Sequence, residues 1–299
     1  MPLPLAQVHG KTVVITGASD GIGAAAARRF ASAGANVVPV GRSPDKTARL
    51  ADELGVEGEV ADFEALDEVR GLAARLVKRC RTIDVLVNNA GGTFSRRVKT
   101  ADGNERTMQV NHLAPYLLTR LLEEPLRHNP HPSQDHGPGS ARLLNGVRIV
   151  TTASGAAHLG RLRSDDLADS LRSSGAYVGF AVYCKTKLAN TLFAAELSRR
   201  WPEVASTSYH PGAVASQFGR GSGVVGFLFA VPQFRALIRT PDQGADTMLW
   251  LASAPEDAGW YSGGFFSDRG PMRTPRQTGD AQLASDLWEL SADLVGLPR

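Results

Sequence analysis

The stretch that most restricts what this chain can fold into runs from Lys11 to Gly34. Lys11 to Thr16 (KTVVIT) is a β-branched run of the kind found in a buried parallel strand. It passes directly into Gly17-Ala-Ser-Asp-Gly21-Ile-Gly23, and then into AAAARRFASAG, a helix pattern closed by Gly34. Strand, glycine turn and helix in that order begin a parallel α/β unit. Glycines at such a turn let the backbone approach a pyrophosphate, which then rests on the helix N-terminus, where free N–H groups and the helix dipole favour an anion. The spacing is G-x-x-x-G-x-G rather than G-x-G-x-x-G, and a plain tight turn is the alternative reading.

The rest of the chain continues the alternation. Asn36 to Val40 (NVVPV) reads as a second strand, with Pro39 predicting a bulge or weakened pairing because it lacks the N–H of an interior strand residue. About twenty residues past such a glycine turn an NAD site carries an acidic residue for the ribose 2′-hydroxyl. Here Gly41-Arg42 stands instead, and a guanidinium without a carboxylate favours a 2′-phosphate, hence NADP(H) over NAD(H). Asp20 in the glycine turn would repel that phosphate. Residues 44–54 read as a helix, and GEVAD as a third strand ending at Asp62-Phe63. The Asp62 carboxylate either accepts from an adenine amino group or caps the helix FEALDEVRGLAARLVKR. IDVLVNNAGG is a buried strand ending in Asn88-Asn89-Ala90-Gly91, where small residues and amides bring backbone beside a flat ligand.

A long helix pattern runs from about Thr107 to Arg127 with Asn111 near its start. VRIVTT (147–152) is another buried strand with Ser154 at its end, Ala205–Tyr209 a further one, and SGGFFS (262–267) a short last strand. TPDQGADTMLWLAS predicts a helix capped by Thr240 with Pro at its first position. DAQLASDLWELSADLVGL predicts a C-terminal amphipathic helix. These elements predict one α/β domain over residues 1–299, a Rossmann-type doubly wound parallel sheet with helices on both faces.

Composition closes off other classes. The 299 residues are 42% apolar, with 33 basic against 30 acidic residues and no run of like charge, so nucleic acid is not an implied partner. Cys80 and Cys184 have neither metal spacing nor a redox pair, which suits a reducing cytosol. His128, His131 and His136 lie in a Pro/Gly-rich loop (128–140) without acidic or Cys partners, so no metal site is expected. The N-terminus lacks a secretory pattern and no apolar run is long enough to span a bilayer, so a cytoplasmic protein is expected. The nearest candidate, GVVGFLFAV (223–231), reads as a core or lid helix, with a membrane-surface contact as the minor alternative.

Tyr183 and Lys187 lie in AVYCKTKLANTLF (181–193), four residues apart and so on one face of a helix. A tyrosine normally holds its proton to about pH 10, and a neighbouring ammonium favours the phenolate and draws that value down. A Tyr tuned in this way exchanges a proton with an alcohol oxygen. The plainer reading is a buried helix with a snorkelling Lys.

TGASDGIG (16–23), Asp62, NNAG (88–91), Asn111, Ser154, YCKTK (183–187) and HPG (210–212) stand in one order along the chain. In these motifs the sequence resembles the short-chain dehydrogenase/reductase family across nearly its whole length. NHLAPYLLT, RIVTTAS, YCKTKLANTLFAAEL, HPGAV and the TPDQGA…SGGFFSD tail are most similar to its retinol-dehydrogenase-like branch. The resemblance implies Tyr183 as general acid and base, Lys187 depressing its pKa and holding the nicotinamide ribose, Ser154 bonding the substrate oxygen, and Asn111 positioning a relay water. It implies cofactor contacts from Gly17, Ser19, Asp20, Gly21, Ile22, Gly23, Arg42, Asp62, Phe63, Asn89, Ala90, Gly91, Pro211, Gly212 and Ser216, besides Tyr183 and Lys187.

Counting thirteen residues back from Tyr183, as in many family members, gives Ser170, but Ser154 follows a buried strand and is preferred. The 29 residues from Ser154 to Tyr183 mark an insertion that would cover a common dimerisation helix, so monomer and homodimer are both open. Segments 155–182 and 213–240 are the expected substrate walls, and their Val, Phe and Leu content points to an apolar alcohol, aldehyde or ketone. Membrane-bound retinol dehydrogenases carry an N-terminal anchor that is absent here, which favours an enzyme on another substrate. Two other readings are a catalytically silent NADP-binding regulator and a sugar-nucleotide epimerase or dehydratase of the extended branch. The intact Tyr–Lys pair speaks against the first; NNAG and the glycine spacing speak against the second.

Overall fold

A computed structural model describes residues 5–127, 146–172, 177–214, 238–255 and 257–299. Ser216, the histidines at 128, 131 and 136, and the apolar run 223–231 lie outside the described residues.

In chain order the main elements are β1 (Thr12–Thr16), α1 (Gly21–Ser32), β2 (Asn36–Gly41), α2 (Pro44–Leu54), β3 (Glu59–Val60), α3 (Leu66–Arg79) and β4 (Val85–Asn88). There follow α4 (Ala114–Leu121), α5 (Glu123–Arg127), β5 (Arg148–Thr152), α6 (Leu167–Arg172), α7 (Gly179–Arg200) and β6 (Ala205–Tyr209). The chain closes with α8 (Pro241–Ser253), β7 (Phe265–Ser267), β8 (Gly270–Pro271) and α9 (Ala281–Leu294). The strands form one sheet in the order β3-β2-β1-β4-β5-β6-β7-β8, the doubly wound arrangement. Seven strands are parallel; β8 alone turns back antiparallel on β7, a departure from the expected all-parallel sheet.

Period-two alternation distributes the strand side chains between two cores. Val14, Val38, Val40, Leu86 and Ile149 pack with α3, α4, α7 and α9 on one face. Val13, Ile15, Val37, Val85, Val87 and Val150 pack with α1 and α8 on the other. Because both faces are covered, the strands read as continuous apolar runs.

Three expectations are corrected. Pro39 causes no bulge, since Ile15↔Pro39 stays in unbroken register with β1. The Asn36 N–H donates to Lys11 O, so by alternation residue 39 faces β3. There β3 pairs only with Val40 and Gly41, and a missing donor one residue earlier costs nothing. Asp62 does not cap α3, which begins at Leu66 and receives its distant cap from the Asp102 carboxylate at 3.1 Å. Asp62 instead accepts from the Glu64 N–H at 3.0 Å. The long helix over 107–127 is broken into a turn at Arg106–Met108, a π-helix at Gln109–Leu113, then α4 and α5. Pro115 has no N–H to give the Asn111 carbonyl, so the ordinary ladder cannot run through this point.

His112 in the π turn is wholly enclosed, with Nε2 3.0 Å from Ser291 Oγ of α9 and its ring between Tyr116 and Phe193. Burial lowers its pKa from 6.5 to about 4. The unfolded chain therefore takes up a proton, as pH falls below 6.5, that the folded chain refuses, and stability declines from that point downward. The full loss is roughly 3 kcal/mol. Urea unfolding should show wild type losing about 2.5 kcal/mol more than His112→Gln between about pH 7 and about pH 4.5; equal losses would contradict a buried neutral imidazole.

Candidate active site

The carboxyl ends of β1 and β4 meet where the strand order reverses, and small residues line the opening. Gly17 and Gly21 have φ of 66° and 53°, in the left-handed region. A Cβ on Gly17 would stand 2.9 Å from Ala90 Cα, and one on Gly23 would stand 2.3 Å from Gly17 O. Asn89 ties the turn down, donating from Nδ2 to Thr16 O at 2.9 Å and to Gly17 O at 3.3 Å. The N-terminus of α1 opens onto the same space, so backbone, dipole and room all suit a pyrophosphate.

Beyond the glycine turn, the end of β2 carries charge. Arg42 is exposed and lies 3.5 Å from Glu64. Asp20 caps α1 through Gly21 N at 2.7 Å, and Lys46 Nζ sits 2.7 Å from its other oxygen. The expected repulsion from Asp20 is thus countered by a lysine that sequence reasoning missed. One signal for it existed: Lys46 occupies the first turn of α2, behind the Ser43 cap and Pro44, where a cation opposes the helix dipole.

At the other end of the opening α7 presents Tyr183 and Lys187, both buried. Lys187 Nζ donates to Thr152 O at 3.0 Å and lies 5.6 Å from the centre of the Tyr183 ring. Ser154 lines the same cleft as Tyr183, and its hydroxyl acts to lower the tyrosine's pKa. Ser154 also caps the short helix Gly155–Leu159, accepting from Ala156 N at 3.2 Å, which fixes its side chain. Burial pushes Tyr183 up to about 12, against the smaller lowering by Ser154, and pushes Lys187 down to about 8. The lysine was expected to lower the tyrosine; instead, desolvation of the phenol dominates and Tyr183 holds its proton firmly at neutral pH.

Asn111 is fully buried in the π turn. Its Oδ1 accepts from Gly92 N at 2.7 Å, and its Nδ2 donates to Gly92 O at 2.9 Å and Thr186 Oγ1 at 3.1 Å. Its amide therefore ties Gly92 to α7. Pro211 and Gly212 close the far side.

These residues surround one cleft of about 540 Å³. Gly17, Ser19, Asp20, Gly21, Ile22, Arg42, Asp62, Phe63, Asn89, Ala90, Gly91, Ser154, Tyr183, Lys187, Pro211 and Gly212 all line it, whereas Gly23 and Asn111 stand behind its wall. Ser43, Lys46, Thr93 and Phe94 line it too and were not anticipated, and Val214 joins them from the segment expected as a substrate wall. Among the described residues no group of His, Cys, Asp and Glu is placed to hold a metal ion, and no helix is long and apolar enough to cross a membrane. Gly23→Ala must displace the Gly17 carbonyl or the Asn89 amide, and should weaken binding of a nicotinamide dinucleotide about tenfold or more in a fluorescence titration; unchanged affinity would contradict the cradle.

The family model described as short chain dehydrogenase matches residues 11–137. A protein of Streptomyces sp. (strain C5) named as a daunorubicin C-13 ketoreductase is 41% identical over 98% of this chain and 95% of its own. Human retinol dehydrogenase 11 is 36% identical over 98% of this chain and 88% of its own. A solved structure from Beutenbergia cavernae, titled as an NAD(P)-dependent gluconate 5-dehydrogenase with bound NADP, is 26% identical, covers 83% of this chain and 91% of its own, and superposes with a TM-score of 0.60. The chain belongs to the short-chain dehydrogenase family, a family of oxidoreductases, and stands with its retinol-dehydrogenase-like members.

Proposed function

We propose that this chain is an NADP(H)-dependent oxidoreductase that interconverts an alcohol and a carbonyl group on an apolar small molecule, with Tyr183 as general acid and base. The observation that carries this reading is the convergence of Tyr183, Ser154 and Lys187 at one end of a cleft whose other end has a glycine cradle and two cations. A nicotinamide cofactor bound there supplies or accepts the hydride. Tyr183, protonated at neutral pH, is in the form that reduction requires and gives its proton to the substrate oxygen. Ser154 steadies both oxygens, and the Lys187 ammonium, beside the ring, favours the phenolate left behind until a proton from solvent replaces the one given up. A buried lysine near 8 keeps its charge through neutral pH and surrenders it above.

Preference for NADP(H) is supported by what stands at the end of β2: no carboxylate, an exposed Arg42 and a nearby Lys46. Both pairs are open to water, with Arg42 66% and Glu64 29% exposed and Lys46 40% and Asp20 48% exposed, and such pairs are weak enough for a phosphate dianion to displace. An apolar substrate is supported by Phe94 and Val214 on the cleft wall and by Phe180, whose ring centre lies 6.3 Å from that of Tyr183. Relatives named as a ketoreductase and a retinol dehydrogenase agree with a carbonyl–alcohol pair. Two buried free thiols, Cys80 and Cys184, agree with a cytoplasmic setting.

Tyr183→Phe should lower turnover by roughly 10²–10⁴ on a substrate that wild type reduces while NADPH still binds; retained turnover would overturn the assignment. Arg42→Ala and Lys46→Ala should each weaken NADPH about tenfold or more and leave NADH nearly unchanged. Equal effects on both cofactors would remove the 2′-phosphate from the account.

A further inference from the structure

The turn joining β7 to β8 is a two-residue hairpin loop, since Ser267↔Gly270 is the last pair before Asp268 and Arg269. Both loop residues have positive φ, 53° and 58°, and among the described residues they alone do so without being glycine. Two positive values are what a two-residue loop of this hand demands, and such loops ordinarily use Asn-Gly or Gly-Gly. An aspartate tolerates the left-handed region moderately and an arginine poorly, so this loop gives up backbone stability that glycine would keep. Residues held in strained backbone persist where their side chains have work.

Both side chains are engaged. Arg269 makes two bonds of 2.5 Å to the Asp246 carboxylate of α8. Asp268 Oδ1 lies 2.7 Å from Arg239 Nη2. Arg239 in turn touches every residue from Pro211 to Val214. Its Nη1 donates to Pro211 O at 3.4 Å, and its N–H donates to Ala213 O at 2.7 Å. Val214 and Arg239 form an isolated parallel bridge. The arginine's stem lies so close over Gly212 (φ 83°) that a Cβ there would meet Cδ and Nε at 2.5 Å. Pro211, Gly212 and Val214 line the cleft; Arg239, Asp268 and Arg269 do not. His210, just before this segment, is held by the same strand: its N–H donates to Phe266 O at 2.8 Å.

We propose that the strained β7–β8 loop is a positioning device for the cofactor cleft, in which Asp268 orients Arg239 and Arg239 clamps Pro211–Val214 as the wall on the nicotinamide side. The proposal rests on the reading of this cleft as the dinucleotide site. The Asp268 carboxylate is two-thirds exposed, and an ion pair so open to water adds little to folding stability. Orientation of the clamp, not stability, accounts for the strain. Arg239 and Asp268 are positioning residues; neither reaches the reacting atoms.

The test is NADPH affinity, by fluorescence titration of the full-length protein, alongside thermal unfolding without cofactor. Asp268→Asn keeps the shape of the residue and suits positive φ at least as well, so its Tm should equal or exceed wild type. Removing a negative charge near a site for an anion would by charge alone tighten binding. The clamp predicts the opposite: a five- to twentyfold weaker NADPH affinity. Arg239→Gln should weaken it to a similar degree, and the double variant no more than the worse single one, because the two residues act as one unit. Asp246→Asn, on the other arm of the loop, should lower Tm with affinity within twofold of wild type. Wild-type or tighter NADPH binding by Asp268→Asn, or losses that multiply in the double variant, would overturn the clamp. If wild type itself bound neither NADPH nor NADH, the cofactor reading would fall, and the clamp with it.

Discussion

The hydroxyl of Thr16 holds together the two strand ends on which the site is built. It donates to Val87 O at 3.2 Å and accepts from the N–H groups of both Asn89 and Ala90 at 3.0 Å. Three bonds to one buried oxygen draw the end of β1 against the end of β4 at the reversal of strand order, where an open α/β sheet leaves its crevice. At that closeness no side chain fits at Gly17 or Gly23, and the side chain of Asn89 must be spent on the turn itself. The glycine pattern and the NNAG pattern are therefore two consequences of one contact. The cleft opens where they meet, and the ends of β2, β5 and β6 supply the remaining walls.

Much of this was legible in the chain because it depends on local pattern. β-branched runs mark strands buried on both faces, and a Tyr and a Lys four apart on a helix must share a face. The choice of Ser154 over Ser170 rested on a strand to fix it, and Ser154 lines the same cleft as Tyr183. What was not legible depends on contacts distant in sequence or on desolvation. Lys46 meets Asp20 across 26 residues. The cap of α3 comes from Asp102, and no local signal announces it. Pro115 could have been seen to interrupt the helix, yet the π turn that results is a matter of how His112 and Asn111 are enclosed. The hairpin of β7 and β8 escaped notice because Asp268-Arg269 is not a sequence that turns prefer.

Burial also changes the chemistry expected of the Tyr–Lys pair. In water the two groups lose their protons at nearly the same pH. Enclosed on α7, the tyrosine moves to about 12 and the lysine to about 8, because desolvation penalises the charged form of each. The order of release is then set by the protein: Lys187 yields first, and Tyr183 stays neutral. On the proposed reading this poises the site for donating a proton to a carbonyl oxygen, and the reverse reaction needs the phenolate to be stabilised by what fills the cleft. The same enclosure fixes geometry, since Lys187 is held on Thr152 O and Ser154 on its short helix.

The central claim is that this cleft performs carbonyl–alcohol chemistry with a nicotinamide cofactor, and the most direct measurement is NADPH consumption by the purified protein against a panel of apolar aldehydes and ketones, with the alcohol product identified. The account predicts that at least one is reduced with NADPH oxidised and alcohol formed in equal amounts, and with far lower efficiency when NADH is supplied. Tight NADPH binding without consumption on any member of the panel would contradict it, and would make the chain a binder of the cofactor rather than an enzyme that uses it.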